Sequence, residues 1–254
     1  MSTYAAYENH YRWEKNSNNI SYIDLSTYFG EYEGSFVLYD MENDIWSIYN
    51  FEYASLRVAP NSTYKIYDAL FGLEEDIITP DYSFISWNNE MYPFDEWNSD
   101  QTLQSAMSNS VNWYFQTIDE QLGADTLNSY VRKIGYGNEN ISGNLSSYWM
   151  ESYLKISPIE QVELLIKLHN NSFGFAPKNI NVVKNSIRLS SAMGNFYGKT
   201  GTGRVNEHDV NGWFIGYLET VNSTYFFATN ILAEDNATGS NAAEITLSIL
   251  SELT

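Results

Sequence analysis

The chain has 254 residues, 43% apolar and 16% aromatic, with a formal net charge of −19 at pH 7. That length and apolar content suffice for a substantial core, and 21 Tyr, 13 Phe and seven Trp argue against intrinsic disorder. With 13 basic residues against 32 acidic ones, nucleic acid and anionic lipid are disfavoured as partners. The absence of cysteine removes disulfides, thiolate nucleophiles and cysteine metal sites.

The N-terminal stretch MSTYAAYENHYRWEKN has no apolar core of signal-peptide kind, and no window reaches the length a membrane helix needs, so the chain as written reads as soluble. About residues 1–30 are a lead-in. From Gly34 to Phe51, GSFVLYD, the polar turn MEND and IWSIYNF predict an antiparallel hairpin. From about 60 to 195 the pattern turns helical: Thr63–Glu74, Leu103–Leu122 closed by Gly123, and Thr126–Ile134 closed by Gly135. A further helix starts at Ser157-Pro158-Ile159-Glu160, where an N-cap serine, a proline at the first position and a glutamate form a capping box. Over 196–254, GWFIGYLET and STYFFATNIL flank Val221-Asn222 as a second hairpin, and Asn241–Leu253 has the spacing of a closing helix. Strands, a helical insert, then strands and a helix predict an α+β fold: one domain over 1–254, an antiparallel sheet flanked by helices with a helical subdomain beside it.

Ser62-Thr63-Tyr64-Lys65 follows Pro60 and opens a helix. Ser62 and Lys65 therefore share one helix face, which lets an amine reach a hydroxyl, and the helix N-terminus favours charge developing on the serine. Burial would make the lysine a usable base by disfavouring its charged form. Alone, this spacing is common, and an N-cap serine beside a solvent lysine is its ordinary meaning. Lys199-Thr200-Gly201-Thr202, on an edge strand, offers a cation and hydroxyls for a substrate carboxylate, with a glycine that admits the ligand to the backbone. S-x-x-K with K-T-G is the motif set of serine β-lactamases and penicillin-binding proteins. Between them lies Ser110-Val111-Asn112, whose serine can relay a proton between Lys65 and a leaving nitrogen.

Together with FVLYD, RVAPNSTYK, Tyr136-Gly137-Asn138, YWMESYLKISPIEQV, YGKTGTG and GWFIGY, these motifs resemble the class D group of penicillin-recognising serine proteins. That group contains class D β-lactamases and the sensor domains of BlaR/MecR-type β-lactam receptors. The resemblance runs from about Gly34 to the C-terminus and implies a β-lactamase/transpeptidase-like fold. It implies an oxyanion hole made by the backbone N–H groups of Ser62 and Thr202, and β-lactam antibiotics as partners. It further implies CO2-derived carboxylation of Lys65, with the carbamate held by Trp149, and supporting roles for Val111 and Tyr136.

Two departures favour a sensor over a hydrolase. Class D hydrolases usually carry S-x-V at the second motif, whose apolar valine helps keep the lysine dry and carboxylated, where this chain has Asn112; that amide can hydrogen-bond the lysine nitrogen and favour the free amine over the carbamate, removing the carboxylated base that would activate water. After Arg204 the chain has no arginine, so Lys199, Thr200 and Thr202 are the expected carboxylate ligands. The expected role is an extracytoplasmic antibiotic sensor acylated on Ser62, with membrane and protease segments in the full-length receptor and signalling that induces resistance. A class D-like β-lactamase working through carboxylated Lys65 is the alternative, and a D-Ala-D-Ala peptidase a third reading. The sequon Asn61-Ser62-Thr63 overlaps the nucleophile, which weighs against a glycosylating secretory route. His10, His169 and His208 have no second ligand at metal spacing, so no metal is expected; Trp113, Tyr114 and Phe115 are expected in the core, and Glu74-Glu75-Asp76 in a solvated turn.

Overall fold

The computed structural model describes residues 10–13 and 19–253; part of the expected lead-in lies outside the described residues. Among the described residues the strands are β1 (Ile20–Tyr22), β2 (Glu33–Asp40), β3 (Ile45–Tyr49), β4 (Arg188–Leu189), β5 (Asn195–Val205), β6 (His208–Glu219) and β7 (Thr224–Leu232). The helices are α1 (Ser26–Phe29), α2 (Phe51–Ser55), α3 (Lys65–Glu74), α4 (Leu103–Ser108), α5 (Asn112–Ile134), α6 (Pro158–His169), α7 (Pro177–Ser186) and α8 (Gly239–Leu253), and a 3-10 turn spans Asn61–Thr63.

The strands form one sheet in the order β1-β3-β2-β7-β6-β5-β4. Both expected hairpins are present: β2 pairs antiparallel with β3, and β6 with β7. The sheet departs from a purely antiparallel one only at its margin, where β1 runs parallel to β3. The central strands are buried on both faces, so they read as continuous apolar runs. Val37, Ile48, Ile215 and Ala228 pack toward the large helical layer that contains α3, α5, α6 and α7. Their neighbours Phe36, Phe214, Phe227 and Ile231 pack on the opposite face, against α8 and Phe29 of α1.

The predicted helix over 103–122 is two helices. Ser110 adopts a left-handed φ of 54° and Val111 is extended, which ends α4 and starts α5 at Asn112. Gly123 interrupts α5 with φ 71° and ψ 164°, and Gly135 caps it in the left-handed region, as the glycine positions imply. Ser157 and Glu160 form the predicted capping box on α6.

Helix α3 carries the site into the interior. It is buried from Lys65 to Leu73, and Ile66, Tyr67, Leu70, Phe71 and Leu73 contribute roughly 10 kcal/mol of burial between them. That gain offsets the cost, several kcal/mol per group, of taking the ionisable Lys65 and Asp68 out of water.

Candidate active site

Turn, break, loop and strand edge converge on one cavity of about 600 Å³, lined among others by Asn61, Ser62, Ser110, Asn112, Glu151, Thr200, Gly201 and Thr202. The 61–63 turn is held from several sides. Asn61 takes a φ of 49°; its N–H donates to Trp149 O at 2.9 Å, and its side-chain amide donates to Ala59 O and to Glu151 Oε1. Ala59 O also accepts from Trp213 Nε1 at 2.9 Å and Asn211 Nδ2 at 3.0 Å, pinning the chain before Ser62 to β6. On the far side Thr63 Oγ1 donates to Pro60 O and accepts from Gln161 Nε2.

Lys65 Nζ lies 2.8 Å from Ser62 Oγ, 2.8 Å from Ser110 O, 3.1 Å from Ser110 Oγ and 2.5 Å from Asn112 Oδ1. The lysine is wholly buried, with the rings of Trp149 and Phe115 centred 5.1 and 5.5 Å from the nitrogen. Burial, then the nearby Lys199 charge, hold the amine well below the ordinary lysine range. Its free form takes a proton from a hydroxyl at 2.8 Å, so this geometry fits a nucleophile and its base.

Lys199 is also buried and donates to Ser110 Oγ and Thr200 O, each at 3.0 Å; burial lowers it to about 7. Both lysines thus meet on the Ser110 hydroxyl, which the left-handed backbone of Ser110 aims between them. Strand β4 pairs with β5 only at Phe196 and Tyr197, so Lys199–Gly203 presents an edge to the nucleophile turn. A Cβ on Gly201 would lie 3.1 Å from Pro60 O and 3.2 Å from Ser62 N, which is why the strand can approach Ser62 so closely only with glycine there. Thr202 Oγ1 accepts from Gly239 N at 2.9 Å, fixing that strand to the start of α8.

The expected carbamate does not fit this arrangement. A carbamate accepts hydrogen bonds, whereas the oxygens around Lys65 Nζ include the Ser110 carbonyl and Asn112 Oδ1, both acceptors. The Trp149 indole N–H expected to hold it donates instead to Asp119 Oδ2 at 3.0 Å. This set of acceptors matches an amine or ammonium, which donates.

Ser62, Lys65, Ser110, Asn112 and the Lys199–Thr202 segment are therefore brought together. Val111 is buried at the start of α5, and Tyr136 lies behind the site, its ring edge-on to Tyr64 and Tyr67. Trp113, Tyr114 and Phe115 are core residues. Glu74 and Glu75 are less free than expected, binding Asn179 and Tyr130. His169 meets Glu219 and His208 meets Asp235, and the described residues contain no group of three metal-ligating side chains.

Several residues escaped sequence reasoning. Glu151 bridges Asn61 and Asn211, and Arg204 lines the cavity with its guanidinium forked on Asp209; neither has a local signature. Asp68 had one, an acid three residues after Lys65 in the otherwise apolar run IYDALF.

A serine hydrogen-bonded to a buried lysine, with a second lysine on an edge strand, on an α+β frame, is an arrangement suited to serine acyl transfer. The chain belongs to the penicillin binding protein transpeptidase domain family, whose model matches residues 34–251. It is 48% identical over 235 residues to the regulatory protein BlaR1 of Bacillus licheniformis, covering 91% of this chain and 39% of that one. The chain thus spans about two fifths of the length of the BlaR1 and mecR1 proteins it matches. The C-terminal domain of the Bacillus licheniformis BlaR penicillin-receptor superposes with a TM-score of 0.89 at 46% identity, over 94% of this chain and 98% of that one. Class D β-lactamase BAT-2 superposes at 0.85 and 35% identity, over 91% and 95%.

Proposed function

We propose that this chain is the β-lactam-binding domain of an extracytoplasmic antibiotic sensor, acylated on Ser62 by penicillins and slow to release them. It is read as one domain over residues 1–254, attached in the full-length receptor to membrane and protease segments that convert acylation into induction of resistance. Among the described residues no helix is long and apolar enough to cross a membrane. The observation that carries the reading is Asn112 Oδ1 at 2.5 Å from Lys65 Nζ, in a domain similar to a penicillin-receptor.

In acylation the Ser62 hydroxyl passes its proton to Lys65 as Oγ bonds to the lactam carbonyl carbon. The oxyanion sits against the backbone N–H groups of Ser62 and Thr202. As the C–N bond breaks, the proton travels from Lys65 through the Ser110 hydroxyl to the leaving nitrogen. Charged Lys199 with Thr200 and Thr202 receives the drug's carboxylate. Hydrolysis of the ester would need Lys65 as a free base aimed at water; Asn112, accepting from the ammonium, holds the nitrogen away from that role. A lifetime of hours instead of milliseconds corresponds to about 8–10 kcal/mol of barrier.

Mixing the protein with excess benzylpenicillin and following drug absorbance with intact protein mass tests this. One equivalent consumed and a persistent adduct, absent in Ser62→Ala, is the expected result. Continuous consumption with free protein recovered would make the chain a class D-like β-lactamase, the reading that the shared Ser62–Lys65 geometry favours next.

A further inference from the structure

Two acceptors and two asparagine side chains close a ring beside the nucleophile. Asn61 Nδ2 donates to Ala59 O at 3.2 Å and to Glu151 Oε1 at 2.9 Å. Asn211 Nδ2 donates to the same two oxygens, at 3.0 and 2.7 Å. Each amide thus uses both of its N–H groups, and both asparagines are buried. Asn211 is held in turn, its Oδ1 accepting from Asn230 Nδ2 at 2.8 Å. Ala59 and Asn61 belong to the chain that carries Ser62, and Asn211 lies on β6, where it pairs with Gly203 of β5. The fourth corner, Glu151, comes from the loop between α5 and α6 and lines the cavity.

Glu151 adopts a left-handed φ of 38° and Asn61 one of 49°. Asparagine tolerates that region, whereas a glutamate holds it at a cost that its contacts must offset. Two residues earlier the same loop is tied to the turn, where the Asn61 N–H donates to Trp149 O at 2.9 Å. Gly203 leaves room for the carboxylate: a Cβ there would overlap Glu151 Oε1 and come within 2.7 Å of Asn61 Nδ2. One carboxylate oxygen therefore meets both the turn that carries Ser62 and the strand pair that carries Thr202.

We propose that Glu151 is a positioning residue for acylation, a brace whose carboxylate sets the nucleophile turn against the β5–β6 pair and so fixes the spacing of the Ser62 and Thr202 N–H groups that receive the oxyanion. The inference rests on the acylation step of the proposed function. The two donors lie on separate elements, and an oxyanion is stabilised only where both are aimed at one point. Ala59 O joins Asn61 to Asn211 through neutral bonds; Glu151 joins them through a carboxylate, a stronger acceptor. The distances follow that order, 2.9 against 3.2 Å from Asn61 and 2.7 against 3.0 Å from Asn211.

Glu151→Ala removes the brace, and Glu151→Gln keeps an oxygen for both amides. Rapid-mixing kinetics with benzylpenicillin separate the dissociation constant of the initial complex from the acylation rate constant. In Glu151→Ala the rate constant should fall about 10- to 100-fold, as displacement of a reacting group by about 1 Å does. The dissociation constant should change less than about threefold, because the side chains of Lys199, Thr200 and Thr202 are untouched. Glu151→Gln should restore the rate constant to within about fivefold of wild type. In the acyl-enzymes, isotope-edited infrared spectra should place the ester carbonyl stretch of Glu151→Ala above that of the wild type, since misaligned donors polarise the carbonyl less. Gly203→Ala, whose methyl displaces the carboxylate without truncating it, should show the same loss and the same infrared shift, a measurement that stands even where Glu151→Ala fails to fold. Wild-type rate constants in Glu151→Ala or Gly203→Ala, an equal loss in Glu151→Gln, a loss carried by the dissociation constant alone, or an unmoved carbonyl stretch would overturn the proposal. Failure of the acylation reading would appear separately, as no adduct on the wild-type protein.

Discussion

Replacing Asn112 by Val removes one acceptor from a buried nitrogen. The Lys65–Asn112 contact is 2.5 Å long, and a hydrogen bond from a charged donor contributes about 1.5–3 kcal/mol. Losing it shifts the ammonium–amine balance of Lys65 about 10- to 100-fold toward the free amine. In the acyl-enzyme that population is the base available to water, so on the acid side of the Lys65 titration the deacylation rate of Asn112→Val should rise by up to about the same factor. The acid limb of acylation should move to lower pH in the same variant. Against the 8–10 kcal/mol that separates a trap from a fast hydrolase, the gain is partial: the variant releases drug sooner without becoming an efficient enzyme. Single-turnover labelling with benzylpenicillin, quenched over hours and read by intact mass, measures this directly. A lifetime within twofold of wild type, in a variant that still acylates, would refute the argument that Asn112 disables the base.

Further outcomes follow from the same geometry. Acylation should decline as pH rises through about 7, where Lys199 loses the charge that receives a carboxylate; stopped-flow rates across pH 5–9, about that midpoint, would show the limb, and Lys199→Met should lack it. The same lysine affects stability: its folded value lies below its unfolded one, so the unfolded state binds more protons above about pH 7 and stability gains from Lys199 as pH rises toward 10.5. Thermal melts of wild type and Lys199→Met should diverge in that window and run in parallel below it. Gly201→Ala should cut acylation about 10- to 100-fold with little loss of folding, since its Cβ would press on Pro60 O and Ser62 N and displace the strand from the reacting carbonyl. Arg204→Ala should change acylation less than about threefold, because the exposed guanidinium is already neutralised by Asp209; a tenfold loss would instead make Arg204 the anchor for the drug's carboxylate.

Much of this protein was determined by local sequence. Apolar alternation set both hairpins, Ser157 with Glu160 set the start of α6, and Gly123 and Gly135 set the interruption and end of α5, because each depends on backbone preferences or contacts within a few residues. The S-x-x-K spacing placed Ser62 and Lys65 one turn apart for the same reason, Ser62 in the 3-10 turn and Lys65 at the first position of α3. What depended on tertiary contact was not legible. The break at Ser110 falls among Ser108, Asn109, Val111 and Asn112, weak helix formers that permit a break without fixing its place, and its left-handed conformation brings the serine to both lysines, which come from separate elements. Trp149 was assigned to a carbamate, yet its N–H goes to Asp119, 30 residues away in sequence. The dryness that lowers Lys65 and Lys199 and raises Asp68 comes from aromatic rings on α5, the 148–149 loop and the sheet closing over α3. Spacing along a chain fixes which side chains share a face, whereas the protonation of a side chain depends on everything that excludes water from it.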